Sequence, residues 1–281
     1  MCTFRSSGIV DLDMSDYVRL KSLLAETGGA VVAYSGGVDS TLLAKAATDA
    51  LGNRALCVLI ESCLVPGIEI DEAVSQAKDL GLRLMRLRAD VLSIKGVPEN
   101  EPDRCYHCKN ALFSKMVEIA AEHNLPYVLD GSNADDEADF RPGARALAEL
   151  RVRSPFKELG FTKDQVRAVS REIGLATWNK PSYACLASRV PYGTELTQEI
   201  LQRVESAERV LRELGFGQFR VRHHGDLARI EVLPEDMDRI CAPATRERVA
   251  RSLRALGYTY VALDLTGYRT GSMNEALEPG S

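Results

Sequence analysis

Residues 30–43 read AVVAYSGGVDSTLL, and this stretch decides the fold class. Residues 30–34 form a short run of small and β-branched apolar side chains, which is typical of a strand buried on both faces. From Thr41 onward the apolar residues recur at helical spacing, and Gly52 marks the end of that helix. The join between strand and helix contains two glycines, two serines and an aspartate, which are more polar groups than a simple connection needs.

The join has the composition of a phosphate-binding turn. Glycines let the backbone approach an anion closely, and the N–H groups at the start of the following helix point toward it. The alternative is a tight turn with a capping serine or aspartate. Asp39 is unusual beside a phosphate, because like charges repel, and it makes sense if it holds Mg²⁺ or fixes the loop. We predict a phosphate site made by Ser35, Gly36, Gly37, Val38, Asp39 and Ser40.

The alternation of strand and helix continues along the first half of the chain. Predicted strands at 29–34, 55–60, 83–88 and 127–130 alternate with predicted helices at 41–51, 69–80 and 110–123, after a leading helix at 12–26. That order predicts an α/β fold with a parallel sheet and helices on both faces. Ligands of such sheets bind beyond the carboxyl ends of the strands, where the predicted phosphate turn falls.

A second polar stretch, DGSNADD at 130–136, follows the fourth predicted strand. Asn133 is a candidate for holding a nucleotide or a substrate, and Asp135 and Asp136 are candidates for holding Mg²⁺. The alternative is a loop rich in aspartate and asparagine that only forms its own turns.

Three of the seven cysteines stand out. Cys105 and Cys108 form a C-x-x-C motif, which we expect in a loop before a helix. Such a motif serves zinc sites, redox pairs and iron–sulfur clusters alike. Cys185 lies in a stretch without periodicity, which predicts an irregular loop. No site role is predicted for the remaining four, which are Cys2, Cys57, Cys63 and Cys241.

The pattern changes near residue 195. A predicted amphipathic helix at 197–214 is followed by strands at 219–224, 227–233 and 258–265, so we predict a domain at 1–194 and a small α+β domain at 195–281. Arg220 and Arg222 alternate with apolar residues and share one face of their strand. Two guanidinium groups so placed make a fork for a phosphate or a carboxylate. The alternative is the solvated outer face of a half-exposed strand.

Composition restricts the class of protein. The 281 residues carry a net charge of -5, which argues against a protein built mainly to hold nucleic acid. No apolar run reaches the roughly 18 residues that span a bilayer, so no membrane association is expected. The N-terminus lacks a secretory apolar region, and an odd number of cysteines does not suggest a disulfide framework. We therefore expect a cytoplasmic protein.

The SGGVDS turn resembles the pyrophosphate-binding loop of the PP-loop ATP pyrophosphatases, which include GMP synthetase, NAD synthetase and tRNA thiolases. The resemblance implies a Rossmann-like domain in which ATP activates a substrate oxygen as an adenylate and releases pyrophosphate. ATP is then the expected ligand of residues 35–40, with Asn133, Asp135 and Asp136 beside it. Mg²⁺ is the expected metal, with Asp39 as its candidate ligand.

Three motifs together resemble the LarE family over nearly the whole chain: SGGVDSTLL, DGSNADD, and KPSYACLASR at 180–189. LarE proteins are sulfur transferases that help build the nickel-pincer nucleotide cofactor of lactate racemase. The resemblance implies a substrate, pyridinium-3,5-biscarboxylic acid mononucleotide, whose carboxylate becomes a thiocarboxylate. It implies substrate binding by Ser188, Arg189, Arg220 and Arg222. It also implies nickel-pincer pathway enzymes as partners and a homo-oligomer, a hexamer in relatives, with the small domain serving substrate binding and oligomerisation.

The family has two ways of supplying sulfur. In one, a single cysteine, here Cys185 by position, gives up its own sulfur. In the other, three cysteines hold a [4Fe–4S] cluster that carries an extra sulfide, and Cys105, Cys108 and Cys185 match that set, so we favour the cluster. The other candidates are a tRNA thiolase, an amide-forming synthetase of the same superfamily, and a non-catalytic nucleotide sensor with a structural metal.

Overall fold

The first part of the chain forms a parallel sheet with helices on both faces. The structure is a computed structural model and describes residues 15–137, 142–181 and 185–269. The strands are β1 (Ala30–Tyr34), β2 (Ala55–Glu61), β3 (Leu84–Arg88) and β4 (Tyr127–Leu129). The helices among them are α1 (Ser15–Ala25), α2 (Val38–Leu51), α3 (Gly67–Asp79) and α4 (Arg104–Glu122). The strand order is β3-β2-β1-β4, and every neighbouring pair is parallel, which confirms the predicted fold class.

The sheet is apolar on both faces because successive residues of its central strands point to opposite sides. Val32 and Cys57 belong to the core under α1 and α2. Val31 and Val58 belong to the core under α4. Burial raises the pKa of the Cys57 thiol to about 12, as expected of a cysteine that serves packing alone.

Three helices follow β4, namely α5 (Pro142–Glu149), α6 (Pro155–Glu158) and α7 (Lys163–Glu172). A capping box opens α7, since Thr162 Oγ1 accepts a hydrogen bond from Gln165 N and Gln165 Oε1 accepts one from Thr162 N. The sequence TKDQ at 162–165 has the form of a capping box and so predicts a helix from there to about residue 173, whereas no sequence pattern predicts α5 or α6. Residues 12–14 of the predicted leading helix lie outside the described residues.

A smaller unit completes the described chain. Its helices are α8 (Gln198–Glu213), α9 (Met237–Cys241) and α10 (Pro243–Ala255). Its strands are β5 (Phe219–His224), β6 (Leu227–Val232) and β7 (Tyr260–Leu263), in the order β5-β6-β7. The first pair is antiparallel and the second is parallel, so this sheet is mixed. It packs on α8 around a separate core that contains Leu211, Val221 and Ile230, which confirms the smaller α+β part of the fold class.

The C-x-x-C motif lies on a helix, so its predicted place in a loop is wrong. The helix α4 begins at Arg104, and both cysteines fall in its first two turns. Those turns read RCYHCKN, whereas the predicted helix starts only at residue 110. Asp103 occupies the N-cap position, where aspartate is favoured, but it makes no side-chain capping bond.

The structure describes no helix, within its three ranges, that is both long enough and apolar enough to cross a membrane.

Candidate functional site

A cavity of about 710 Å³, here called the main cavity, lies at the carboxyl end of the parallel sheet. The end of β1, the first turn of α2 and the loop after β4 all reach it. Its lining includes most of the predicted ATP-binding residues, namely Ser35, Gly37, Asp39, Ser40, Asn133, Asp135 and Asp136. Val38 instead lines a second cavity beside it, of about 270 Å³. The two thiols of Cys108 and Cys185 also line the main cavity.

The phosphate turn is held by its own hydroxyl groups. Ser35 N donates to Ser40 Oγ at 3.1 Å, and the two serine hydroxyls lie 3.0 Å apart. Gly36 has φ +70°, and a Cβ atom there would lie 2.6 Å from Ala73 Cβ on α3. The position therefore needs glycine both for its backbone conformation and for its close contact with α3.

Asp39 is the centre of a polar group that links three segments. It forms an ion pair with Lys163 at the start of α7, and Asn133 Nδ2 donates to Asp39 Oδ1 at 3.2 Å. The backbone N–H of Lys163 donates to Asp135 Oδ2 at 2.7 Å. Of the two expectations for Asp39, holding Mg²⁺ or fixing the loop, the contacts present are those that fix the loop.

Lys163 is a site residue that the sequence analysis missed. Its side chain lines the main cavity and brings a positive charge to the phosphate turn. Its only sequence signal is its place after the capping residue Thr162, which predicts the start of a helix and nothing about a ligand.

The acidic residues do not gather into a metal site. Asp135 and Asp136 accept hydrogen bonds from the backbone N–H groups of Lys163 and Asn133. Among the described residues no group of three or more His, Cys, Asp or Glu side chains is placed to hold a metal ion. Mg²⁺ is commonly held by one or two carboxylates together with substrate phosphates, and such a site needs the nucleotide in place.

Two of the three predicted thiols, Cys108 and Cys185, line the main cavity, and Cys105 does not line it but interacts electrostatically with both. Cys105 and Cys108 lie three residues apart on α4 and so share a side of the helix. Cys105 and Cys185 are exposed, and Cys108 is half-buried. Burial, and then the neighbouring Cys185 and Cys105, raise the pKa of the Cys108 thiol to about 12. Cys63, for which no role was predicted, also interacts electrostatically with Cys185.

The loop that carries Cys185 is fixed at both ends. Lys180 Nζ lies 2.9 Å from carboxylate oxygens of both Glu69 and Glu72 on α3, and it donates to the carbonyl of Gly36 at 3.4 Å. On the other side, Leu186 N donates to Leu64 O at 2.9 Å. Cys185 is thereby held between the phosphate turn and the segment after β2.

The predicted substrate-binding arginines lie in a buried ionic network rather than on an open surface. Arg189 pairs with both carboxylate oxygens of Glu208, at 2.8 and 3.0 Å. Arg222 pairs with both oxygens of Glu231, at 2.9 and 2.8 Å, and donates to Ser188 O at 2.6 Å.

Arg220 is buried in the same region. It donates to Phe219 O at 2.7 Å and lies over the ring of Tyr268. The alternative interpretation of a solvated outer face is wrong, because five of the six residues of β5 are buried. Neither Arg220 nor Arg222 is among the described residues that line the main cavity.

Comparisons with known proteins give a consistent result. The chain is 42% identical over 261 residues to pyridinium-3,5-bisthiocarboxylic acid mononucleotide synthase of Lactiplantibacillus plantarum, over 92% of this chain and 93% of the relative. It is 40% identical over 258 residues to an uncharacterized protein of Synechocystis, over 92% and 96% of the two chains.

The chain is also similar, more distantly, to a GMP synthase subunit. It is 28% identical over 223 residues to one subunit of the glutamine-hydrolyzing GMP synthase of Thermoplasma acidophilum, over 72% of this chain and 70% of the relative. No family model matches the chain.

Proposed function

The chain belongs to the LarE family of the PP-loop superfamily, and from that premise we propose that it is an ATP-dependent sulfur transferase acting on pyridinium-3,5-biscarboxylic acid mononucleotide. The observation that carries the proposal is that a phosphate turn and two thiols line one cavity. Activation by ATP and delivery of sulfur can then take place at one carboxyl group without moving the substrate.

In the first step a substrate carboxylate oxygen attacks the α-phosphorus of ATP, and pyrophosphate leaves. The N–H groups at the start of α2 and the hydroxyls of Ser35 and Ser40 face the leaving group. Negative charge grows on the pyrophosphate as the bond breaks, so donors fixed around it lower the barrier. The product is an acyl-adenylate, whose carbonyl carbon is open to a sulfur nucleophile.

Lys163 and Asp39 prepare the turn for the nucleotide. When triphosphate enters, the ammonium group of Lys163 can transfer from the Asp39 carboxylate to a phosphate oxygen. Asp39 is then available as a ligand of the Mg²⁺ that accompanies ATP. The Asp39–Lys163 ion pair thus supplies both a cation that can bind phosphate and a carboxylate that can bind the metal.

We propose that sulfur is delivered at the three thiols. Their chemistry suits an iron–sulfur cluster, because three soft sulfur donors lie close enough to interact electrostatically with one another. A cubane takes each thiolate on a different iron, so its ligands need not converge on a single point. When bound by Cys105, Cys108 and Cys185, a [4Fe–4S] cluster would supply a coordination position for hydrosulfide.

The position of Cys185 also favours a second candidate chemistry. The residue is exposed and lines the main cavity, so its sulfur can itself attack the acyl-adenylate. Burial of the thiol raises its pKa, and the nearby Arg104 lowers it. AMP leaves and a thioester forms. Loss of the Cα proton of residue 185 then breaks the Cβ–S bond, which leaves dehydroalanine in the chain and the thiocarboxylate on the product. This sacrificial route consumes one protein molecule per sulfur atom.

We assign Ser188, Arg189, Arg220 and Arg222 to the substrate phosphate and distal carboxylate. The assignment is supported by the proximity of these residues, since Arg222 donates to Ser188 O and Arg189 donates to Ser188 Oγ at 2.9 Å. The division into domains at 194/195, the homo-oligomer and the pathway partners remain predictions.

The test is incubation of the anaerobically reconstituted protein with ATP and the mononucleotide. We expect equal amounts of AMP and pyrophosphate, and a product mass that reports oxygen replaced by sulfur. Repeated turnover with added sulfide supports the cluster. A single turnover, with loss of hydrogen sulfide from the mass of Cys185, supports the sacrificial route instead.

A matched control separates site thiols from other thiols. Cys185→Ala should stop thiocarboxylate formation while adenylate formation persists, whereas Cys241→Ala, which removes an exposed thiol on α9, should change neither. Absence of AMP and pyrophosphate in the wild-type protein would refute the proposed function.

A further inference from the structure

Arg104 carries a buried positive charge that no carboxylate neutralises. The residue is 3% exposed, and its guanidinium remains charged at any ordinary pH. No ion pair is formed by Arg104 within residues 15–137, 142–181 and 185–269. By contrast, the buried Arg189 and Arg222 each hold a carboxylate in a two-bond pair. Burying an unpaired charge is costly, so the site is built to receive an anion.

The neighbours of the Arg104 guanidinium include neutral oxygens, a thiol and the ring of Tyr192, whose centroid lies 5.7 Å from Arg104 Cζ. One terminal nitrogen donates to Asn100 Oδ1 and, at 3.3 Å, to Ala187 O. The other lies 3.9 Å from Cys105 Sγ. Arg104 also interacts electrostatically with Cys185. The groups near it that can become negative therefore include thiols that we assign to sulfur delivery.

Asn100 fixes Arg104 in this place. Asn100 is fully buried, with φ +57°, a conformation that asparagine tolerates better than most residues. Its Nδ2 donates to Pro191 O at 2.8 Å and Thr194 O at 2.9 Å, while its side-chain oxygen receives Arg104. The pair thus joins the first turn of α4, which carries the C-x-x-C motif, to the segment that follows Cys185.

We propose that Arg104 supplies a fixed positive charge beside the thiol centre, with a guanidinium nitrogen 3.9 Å from Cys105 Sγ, and that Asn100 is the positioning residue that holds it there. The inference rests on the proposed function, which explains why the charge is needed. A group held by three thiolates is anionic, and a fixed positive charge beside it stabilises it. The inference is independent of which of the two sulfur routes operates.

The test compares two alkylating reagents on the iron-free protein. Iodoacetate is anionic and iodoacetamide is neutral, and in both reactions a thiolate displaces iodide from carbon. The ratio of the two rates at one cysteine cancels the fraction of thiolate and reports the local charge. Mass spectrometry assigns each rate to Cys105 or Cys185.

In Arg104→Gln we expect the iodoacetate-to-iodoacetamide ratio at both cysteines to fall about tenfold, the order expected for one charge acting at short range through protein. Arg104→Lys should restore most of the ratio, because lysine keeps the positive charge and lacks only the paired N–H donors of the guanidinium. Lys115→Gln, which removes an exposed charge farther along α4, should leave the ratio unchanged.

A second measurement addresses the loaded protein. After reconstitution, Arg104→Gln should bind less iron, and its cluster should have a lower reduction potential than the wild type, because the reduced form has lost its countercharge. Circular dichroism confirms that each variant is folded when it is measured.

A ratio in folded Arg104→Gln equal to that of the wild type overturns the inference. A ratio that Arg104→Lys fails to restore also overturns it, because the effect would then lie in the geometry and not in the charge. If the wild-type protein releases no AMP, the proposed function fails, and the alkylation ratio still decides the role of Arg104.

Discussion

The main cavity and the buried network of Arg189–Glu208 and Arg222–Glu231 pairs both contain ion pairs, but these pairs differ in their exposure to solvent. In the cavity, the side chains of Asp39 and Lys163 keep 23% and 30% of their surface exposed. In the network, Arg189 and Glu231 have fully buried side chains. A half-exposed pair has water as an alternative partner and separates at small cost, whereas a buried pair leaves an uncompensated charge when it is broken.

The difference shows what the charge does in each region. The cavity pair can exchange partners when a nucleotide arrives, so its substitution should affect catalysis more than folding. The network pairs hold the strand β5 against α8 and the segment after Cys185, so their substitution should affect folding first.

The largest effect is expected at Asp39. Asp39→Ala should reduce AMP formation by at least about 10²-fold, the order seen when one fixed group that supports transition-state charge is lost. The free energy of unfolding should change by less than about 1 kcal/mol, because the ion pair is partly exposed. Pyrophosphate release and urea unfolding measure the two effects, with Asp71→Ala on α3 as a control. Unchanged pyrophosphate release would contradict the assignment of the main cavity to ATP activation.

A large loss of stability is expected at Arg222. Arg222→Ala removes the two-bond partner of the buried Glu231, which keeps its contact with Arg229 at 3.2 Å, and should lower the free energy of unfolding by about 3 kcal/mol. Arg209→Ala, on the exposed face of α8, should change it by less than about 0.5 kcal/mol. Denaturant titration compares the two variants. Equal stability would mean that the network does not hold the small unit together.

A smaller and more selective effect is expected at Arg220. Arg220→Ala should weaken binding of the mononucleotide by about tenfold, the loss of one good charged contact, while ATP binding stays within about twofold. Isothermal titration with each ligand gives the comparison. Equal losses for both ligands would contradict the assignment of the small unit to the substrate.

The smallest effect concerns pH. Burial, and then the charge of Arg203, lowers the pKa of His223 in the folded chain. In the unfolded chain the imidazole has its ordinary pKa of about 6.5, so it binds a proton at a higher pH than in the folded chain. Stability is fully present above that pH and is lost as the pH falls toward the folded pKa. Denaturant midpoints at pH 7.5 and 5.5 should differ in that direction, and His223→Phe should reduce the difference. A midpoint independent of pH would contradict burial of a neutral imidazole.

The sequence predicted the parallel sheet well because its signals are local. The continuous apolar strands, the helix stops at glycine and the capping box at Thr162 each act within a few residues. The start of α4 was missed because its first turn is polar and lacks a side-chain cap. The helix α5 was missed because its few apolar residues face α4, a partner that the sequence does not reveal.

Candidate site residues could be predicted from the sequence only where they belong to a short motif. The turn at Ser35–Ser40 was predicted from its composition between a strand and a helix, Cys105 and Cys108 from their spacing, and Cys185 from the resemblance to the LarE family. Lys163 was missed because its contact with Asp39 joins positions far apart in the chain. The pairing of the arginines with Glu208 and Glu231 was missed for the same reason, since alternation along a strand predicts a shared face and not what covers it.

The contact of Gly36 with Ala73 limits how this protein can vary in evolution. Because a Cβ atom at residue 36 would strike the side chain and backbone of residue 73, the two positions share one small space. A larger side chain at residue 73 would displace the phosphate turn as surely as a side chain at residue 36 would. Among descendants that keep the ATP reaction, substitution should therefore be rare at residue 73 as well, although that residue lies outside every motif of the sequence.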